Sequence, residues 1–409
     1  MKLLIAPLHY VLDPSGGSEY SRAYSNLKYL SEQEGLSGDV LVWYAPFGSI
    51  GNFRIFRAAE NRPAYISNWI RIAFIIWVFI KGRKLLREKD YNLIWHQGPF
   101  AIGETFNLLA LLKPKHLPLV IGPIFNPFKN AGKEDFGLLG KKVLTSKSVF
   151  SRIFHRADYY AYRLAKIFHR LSVITLASAA LVLTYDREAL KLLRSLGIRK
   201  SRFIPIGIDE KPFLFAPKPD VFRDKIKLLS VNYLVERKRT QDVIGAVAQL
   251  IHSGVKNIIL TIVGDGPQIT ELRRLVKKLN ISSQVRFAGF IPRELLPRYY
   301  KAADVFVSAS VEESMAGVYF EAMAASLPLV VVINSTTAAL ATARFGGTLV
   351  PPRSPQTLAI ALNDLIRHPR KRFIYAKHNA KLMQKRYSYR NNMARLLACL
   401  DKLSLKSTL

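Results

Sequence analysis

Short apolar runs alternate with amphipathic stretches along this chain, the rhythm of βαβ units that build parallel sheets. The second half is the more regular. Residues 226–231, 257–263, 285–287, 305–308 and 329–332 read as buried strands, and 241–252, 269–279, 293–301 and 318–325 carry helical spacing between them. The first half begins alike, with a strand at 2–6, a polar loop ending in Gly16-Gly17-Ser18, and a helix from about Glu19. Further strands are expected at 93–96, 119–122 and 180–183. The two series meet near Ile204-Pro205-Ile206-Gly207, after which Pro- and charge-rich sequence runs to Lys227. The pattern predicts an α/β protein of two doubly wound parallel-sheet domains, 1–205 and 206–387, with a C-terminal helix 388–409 joining the first. Two such sheets facing across a cleft would take ligands at the carboxyl ends of their strands.

Size and composition fit that picture. A chain of 409 residues exceeds what one core usually serves. Apolar content of 49% with 22% charged residues argues against disorder. The single cysteine, Cys399, excludes an intrachain disulfide framework and fits a reducing, cytoplasmic setting. The start of the chain reads as a first buried strand and not as a signal peptide. The apolar stretch 72–80 and the uncharged stretch 171–185 hold nine and fifteen residues, short of the about 20 needed to span a bilayer. Charge changes the picture more. Sixty-one Lys and Arg against 29 Asp and Glu give +32, a field that attracts nucleic acid, anionic lipid or phosphorylated small molecules alike.

The sharpest chemical signal is Glu313-Ser314-Met315-Ala316-Gly317-Val318-Tyr319-Phe320-Glu321, followed by Ala322-Met323-Ala324. The glycine places Glu313 in a loop after strand 305–308 and Glu321 on the helix that follows. The amides of Met315, Ala316, Gly317 and Val318 then form a helix amino end, which favours phosphate. Glu321 is suited to accept hydrogen bonds from ribose hydroxyls, as the acidic residue of dinucleotide sites does. Taken alone, the two glutamates would read as a cap and a loop charge. The apolar strand after Leu327-Pro328 sandwiches their helix between buried strands and favours a site.

With these residues the sequence resembles the retaining family 4 glycosyltransferases of the GT-B fold, whose hallmark is a Glu–seven residues–Glu motif followed by Ala-Met-Ala. Ile204-Pro205-Ile206-Gly207-Ile208-Asp209, Glu236-Arg237-Lys238, Val263-Gly264-Asp265-Gly266-Pro267 and Val285-Arg286-Phe287-Ala288-Gly289 match in order and spacing. The resemblance is close from Ile204 to about Ile366 and loose before residue 180. It implies that Lys238 contacts the donor diphosphate, that Glu313 lies by the transferred sugar and that Glu321 binds the ribose. Gly289-Phe290-Ile291 would offer backbone groups to the nucleobase. A lysine there suits a leaving group that gains charge as the glycosidic bond breaks. Lys238 also fits a solvated basic run, and Gly264 to Pro267 also fit a tight turn. The chain departs from the family at Asn232 and Tyr233, where Gly-Arg is usual, which leaves one phosphate cation missing unless Arg237 or Arg239 replaces it. Ser326 stands where glycine is usual, and Met315-Ala316 replace Phe-Gly.

In the first half, Gly16-Gly17 matches the family's glycine loop, whose lack of Cβ admits close backbone approach. His96, ending strand 93–96, is the candidate acceptor-side histidine, with a purely structural histidine as the alternative. From 148 to 170, Arg152, Arg156, Arg163, Lys166 and Arg170 fall within about 40° of one line on a helix. That basic stripe, with Trp69 and Trp77 in the apolar segment before Lys81, Arg83 and Lys84, suits peripheral contact with an anionic membrane. An inward-packed helix with a solvated basic back explains the stripe equally.

The leading function is transfer of a sugar from a nucleoside-diphosphate donor to a hydroxyl acceptor, a lipid-linked or membrane-borne glycan among the candidates. No Asp-x-Asp stands at a strand end, so neither a metal nor any other cofactor is implied. The alternative is a catalytically inactive GT-B scaffold serving as a binding or assembly subunit, kept open by Asn232 and Tyr233. Nucleic-acid binding rests on net charge alone, with no recognisable module.

Overall fold

The computed structural model describes residues 1–8, 11–12, 18–62, 68–97, 105–124, 171–185, 187–205, 207–217, 225–313 and 317–405. The chain forms two compact units, Met1–Pro205 with Met393–Leu409, and Ile206–Asn392.

The first unit is built on an eight-stranded sheet. Its strands are β1 (Lys2–Ile5), β2 (Ser37–Val42), β3 (Ser49–Ile50), β4 (Phe53–Arg57), β5 (Leu93–His96), β6 (Leu119–Ile124), β7 (Leu181–Thr184) and β8 (Ser201–Phe203). They lie in the order β3-β4-β2-β1-β5-β6-β7-β8, parallel except for the β3–β4 hairpin. The chain winds outward from β1 in one direction and from β5 in the other, so the topological switch lies between them. Strand β1 is buried on both faces, which is why it reads as an unbroken apolar run. The helix Asn68–Glu88 packs Phe74, Val78 and Leu85 into the core beside Leu4, Ile94 and Ile121.

The second unit holds six parallel strands, β9 (Ile226–Val231), β10 (Ile258–Val263), β11 (Val285–Gly289), β12 (Val305–Ser308), β13 (Leu329–Val332) and β14 (Gly347–Val350). Their order is β11-β10-β9-β12-β13-β14, with the switch between β9 and β12. Apolar residues of helices Thr240–His252 and Pro355–Arg367 close one face of the core. Asn379, fully buried, replaces missing backbone pairing. Its amide donates to the carbonyls of Leu327 (2.8 Å) and Gly346 (2.7 Å), and its oxygen accepts from the Gly346 amide (2.6 Å).

Two element boundaries differ from the sequence reading for local reasons. The helix expected at 293–301 is Leu296–Ala302, because Pro297 suits a first helical turn and 293–295 form a turn. Strand β6 runs on through Gly122-Pro123 to Ile124, since each of its residues is buried and β7 pairs with Ile124. Strands β2, β3, β4 and β14 were not foreseen. The basic stretch 148–170, with Arg152, Arg156, Arg163, Lys166 and Arg170, lies outside the described residues. Among the described residues no helix is long and apolar enough to cross a membrane.

Candidate functional site

In an open parallel sheet, the loops leaving the two strands at the switch diverge and leave a crevice at their carboxyl ends. In the second unit those loops follow β9 and β12, and the sequence places Lys238 on one and Glu313 on the other. The structure joins them. Lys238 Nζ pairs with Glu313 Oε1, with the two side chains only 12% and 8% exposed. Backbone contacts weld the two loops beneath this pair: the Val311 amide donates to the Arg237 carbonyl (3.1 Å), and Arg237 Nη1 donates to the Glu312 carbonyl (3.2 Å). Thr336 Oγ1 donates to the Glu313 carbonyl at 3.2 Å.

The β9 loop is fixed from its other side by β10. Asn232 and Leu234 donate backbone hydrogen bonds to Val263 (3.0 Å) and Asp265 (2.8 Å), and Gly264 donates to Gly289 (2.8 Å). Gly264 has φ +128°, and a Cβ there would stand 1.9 Å from the Asn232 carbonyl oxygen. Glycine is demanded by this crossing of loops, a structural requirement whether or not the residue also meets a ligand. Phe290, directly after β11, is 76% exposed, and Ile291 is half-buried.

The residues at the missing Gly-Arg are accounted for. Asn232 is held between Ser230 Oγ and Thr240 Oγ1, each at 3.1 Å, and the Tyr233 ring is exposed. Arg239 does not stand in for the absent arginine. Its guanidinium is spent on Asp242 (2.9 and 2.8 Å) and Glu236 (2.9 Å), and the Asp242 hydrogen bond holds its pKa above the usual value. Arg237 is the exposed cation of this turn.

Helix Gly317–Ala324 carries Glu321 in its second turn. The carboxylate is buried, and its Oε2 accepts a 2.8 Å hydrogen bond from the hydroxyl of Tyr300, which is fully buried. Burial raises the Glu321 pKa, opposed by the positive charge of Arg293 and by the Tyr300 hydrogen bond. Burial and Glu321 together push the Tyr300 phenol up. Tyr300 is itself wedged between Phe213 (ring centroids 5.4 Å apart, edge-on) and Phe306 (6.1 Å, stacked). Gly317 and Val318 open the helix, whereas Met315 and Ala316 lie outside the described residues. Tyr319, one residue past Val318, meets Ser308 Oγ (3.3 Å) and Asn334 Nδ2 (3.4 Å). Tyr300, Arg293, Tyr319 and Asn334 escaped the sequence reading. Only Asn334 left a local trace, an Asn three residues before Thr337 that forms a capping box.

In the first unit, Gly16 and Gly17 lie outside the described residues. His96 ends β5 beside the β1–β5 switch, buried, with no hydrogen-bond partner for Nδ1 among the described residues. Burial pushes its pKa down to about 3, so the ring is neutral at ordinary pH. Its neighbour Gln97 is also buried, and neither end of its carboxamide has a partner among the described residues. Among the described residues, no three His, Cys, Asp or Glu side chains gather as a metal site.

Comparison with known proteins shows what these features resemble. Residues 215–382 match the model of the glycosyl transferases group 1. An alpha-monoglucosyldiacylglycerol synthase of Streptococcus pneumoniae is 30% identical over 145 residues, 32% of this chain and 32% of that protein. A GDP-mannose-dependent alpha-(1-6)-phosphatidylinositol monomannoside mannosyltransferase of Mycolicibacterium smegmatis is 31% identical over 186 residues, 41% of this chain and 47% of that protein. The chain thus spans about a third to a half of the length of these curated relatives. Among solved structures, Anabaena HepE in complex with UDP superposes with a TM-score of 0.68 at 17% identity, covering 98% of this chain and 100% of that one. At that identity the likeness speaks for the fold, which is GT-B.

Proposed function

From the match of residues 215–382 to the group 1 glycosyl transferases we propose that this chain is a retaining, family 4 glycosyltransferase using a nucleoside-diphosphate sugar. The observation that carries the reading is the Lys238–Glu313 pair at the β9–β12 switch, one loop ahead of the helix that holds Glu321. In this reading the diphosphate lies against Lys238 and the amides opening helix Gly317–Ala324, where negative charge is favoured. Glu321 accepts the ribose hydroxyls. Backbone groups of Gly289, Phe290 and Ile291 meet the base, and Glu313 orients the sugar. As the bond from the sugar carbon to the diphosphate oxygen breaks, its electron pair passes to the diphosphate. The acceptor hydroxyl then bonds to the same face of the sugar carbon and gives its proton to a diphosphate oxygen. No metal is assigned a part, and His96 would act on the acceptor side as a neutral imidazole.

The names of two relatives specify lipids, a monoglucosyldiacylglycerol as product and a phosphatidylinositol monomannoside as the molecule mannosylated. With +32 net charge, a lipid-linked acceptor at the cytoplasmic face of an anionic membrane fits this chain. UDP, bound by HepE, is the first nucleotide to test. A thermal-shift screen with UDP, GDP and their sugars should give a rise in melting temperature of the wild-type chain for the true donor, since a ligand of the native state alone stabilises it. Glu321→Ala should abolish the rise; an unchanged rise would remove the ribose assignment. Asn232, locked by Ser230 and Thr240, favours one second reading, a GT-B scaffold that binds nucleotide without turnover. Donor hydrolysis or transfer separates the two, because a scaffold consumes no donor.

A further inference from the structure

From Trp69 to Ile80 the helix Asn68–Glu88 is apolar nearly all round, a composition that usually means burial on every side. Among the described residues only one side is covered. Phe74, Val78 and Leu85 enter the core, and Gly82 is pressed against Leu109, where a Cβ would stand 2.3 Å from a Leu109 methyl. On the opposite side Trp69, Ile76 and Ile80 are 48%, 50% and 63% exposed. With exposed Ala73 they are spaced four, three and four residues apart, one straight stripe along a helix. In the same phase the stripe continues into Arg83 and Arg87, with Lys84 beside them, all exposed. The face is therefore apolar over its first three turns and cationic over its last two.

We propose that this face docks the chain on an anionic lipid bilayer, with Trp69, Ile76 and Ile80 in the headgroup–acyl boundary and Arg83, Lys84 and Arg87 on lipid phosphates. The proposal deepens the reading of a membrane-borne acceptor and rests on it. From Trp69 to Ile80 the apolar stripe is about 17 Å long at 1.5 Å per residue, which suits a helix lying in the plane and not one crossing about 30 Å of hydrocarbon. Tryptophan favours that boundary, having an apolar body and a polar N–H. Charge selects the occupant. A second copy of a chain carrying +32 is repelled, whereas an anionic surface attracts each of the three cations by about fivefold in affinity. Nucleic acid would satisfy the cations and leave the isoleucines wet.

Co-sedimentation of the full chain with vesicles of equal phosphatidylglycerol and phosphatidylcholine, and with phosphatidylcholine alone, tests this. The wild type should bind the anionic vesicles and release at 0.5 M salt. Trp69→Ser/Ile76→Ser/Ile80→Ser should lose about a hundredfold or more in partitioning, three buried apolar side chains being removed. Arg83→Gln/Lys84→Gln/Arg87→Gln should lose about a hundredfold. Melting temperatures near wild type certify folding. Should the serine variant fail to fold, the single variant Ile80→Glu should still lose about tenfold or more. If the serine variant sediments like wild type, the docking face is elsewhere and the membrane reading stands. If the wild type ignores anionic vesicles, both fall together. If light scattering finds a dimer that the serine variant breaks, the stripe is a self-association face and the proposal is overturned.

Discussion

At the scale of single residues, the site is a set of charges held where water reaches poorly. Lys238 and Glu313 neutralise each other in that environment, so removing Lys238 takes the opposite charge away from a buried carboxylate, at about 3 kcal/mol. Lys238→Met should therefore lower the melting temperature as well as activity. The double variant Lys238→Met/Glu313→Gln should regain most of the stability while turnover stays down by about a hundredfold or more. Thermal denaturation beside a transfer assay separates the two roles; recovered turnover in the double variant would show that Lys238 only pairs with Glu313.

Glu321 yields a prediction in pH. Its pKa is raised by burial, so near neutrality the ionised form weighs against the empty fold. That contribution favours folding below the unfolded value of 4.5 and is lost as pH rises through the higher folded value. Glu321→Gln should raise the melting temperature of the nucleotide-free protein near pH 7. In the proposed site the ribose is held by the carboxylate, so nucleotide binding should fall away as pH drops through the raised pKa, at higher pH than a free glutamate would impose. In Glu321→Gln that acid limb should vanish, as calorimetric titrations between pH 5 and 8 would reveal.

At the scale of elements, the turn after helix Gly317–Ala324 shows how a departure from the family pattern is accommodated. Leu327 donates to the Ala322 carbonyl (2.9 Å) and Ser326 to that of Met323 (3.1 Å), the paired bonds of a helix stop that normally has glycine at its left-handed residue. Here that residue is Ser326, at φ 56°, and its hydroxyl donates to the Phe215 carbonyl. Strain and hydrogen bond are each worth about 1 kcal/mol. Ser326→Gly, which loses both, should change stability by less than about 1 kcal/mol. Ser326→Ala keeps the strain, loses the bond and should cost about 1 kcal/mol more than the glycine variant. Urea denaturation of the two variants side by side decides it.

The same scale shows where the sequence could be read. Strands β9, β12 and β13 stood out as apolar runs because their residues are buried almost throughout. Strand β4, FRIFR, lies near the sheet margin with exposed arginines, and β14 is only partly buried, so their apolar signal is diluted. Helix Asn68–Glu88 could be seen as apolar, but which of its sides the core takes was invisible until the sheet was in place.

For the whole molecule, each unit has its own sheet and core, so ligand effects should be local to one of them. Nucleotide at about 100 times its Kd should stabilise the Ile206–Asn392 unit by about 2.7 kcal/mol. Hydrogen exchange should slow in β9 and in helix Gly317–Ala324, and stay unchanged in β1 and β5. Slowing confined to the first unit would put the nucleotide on the wrong sheet.

The sequence by itself determined the architecture and the Glu313–Glu321 motif, because burial on parallel strands and helix-start geometry are local properties that leave periodic and spaced residues behind. It named Lys238, Glu313 and Glu321 through a resemblance whose pieces keep their order along the chain. Only the tertiary structure decided their partners. That Lys238 meets Glu313 across 75 positions and that Tyr300 grips Glu321 from 21 positions away both follow from segments converging near a strand-order switch. Such pairings depend on which strands lie side by side, and strand order is set by packing the complete set of elements together, which no single stretch of residues encodes.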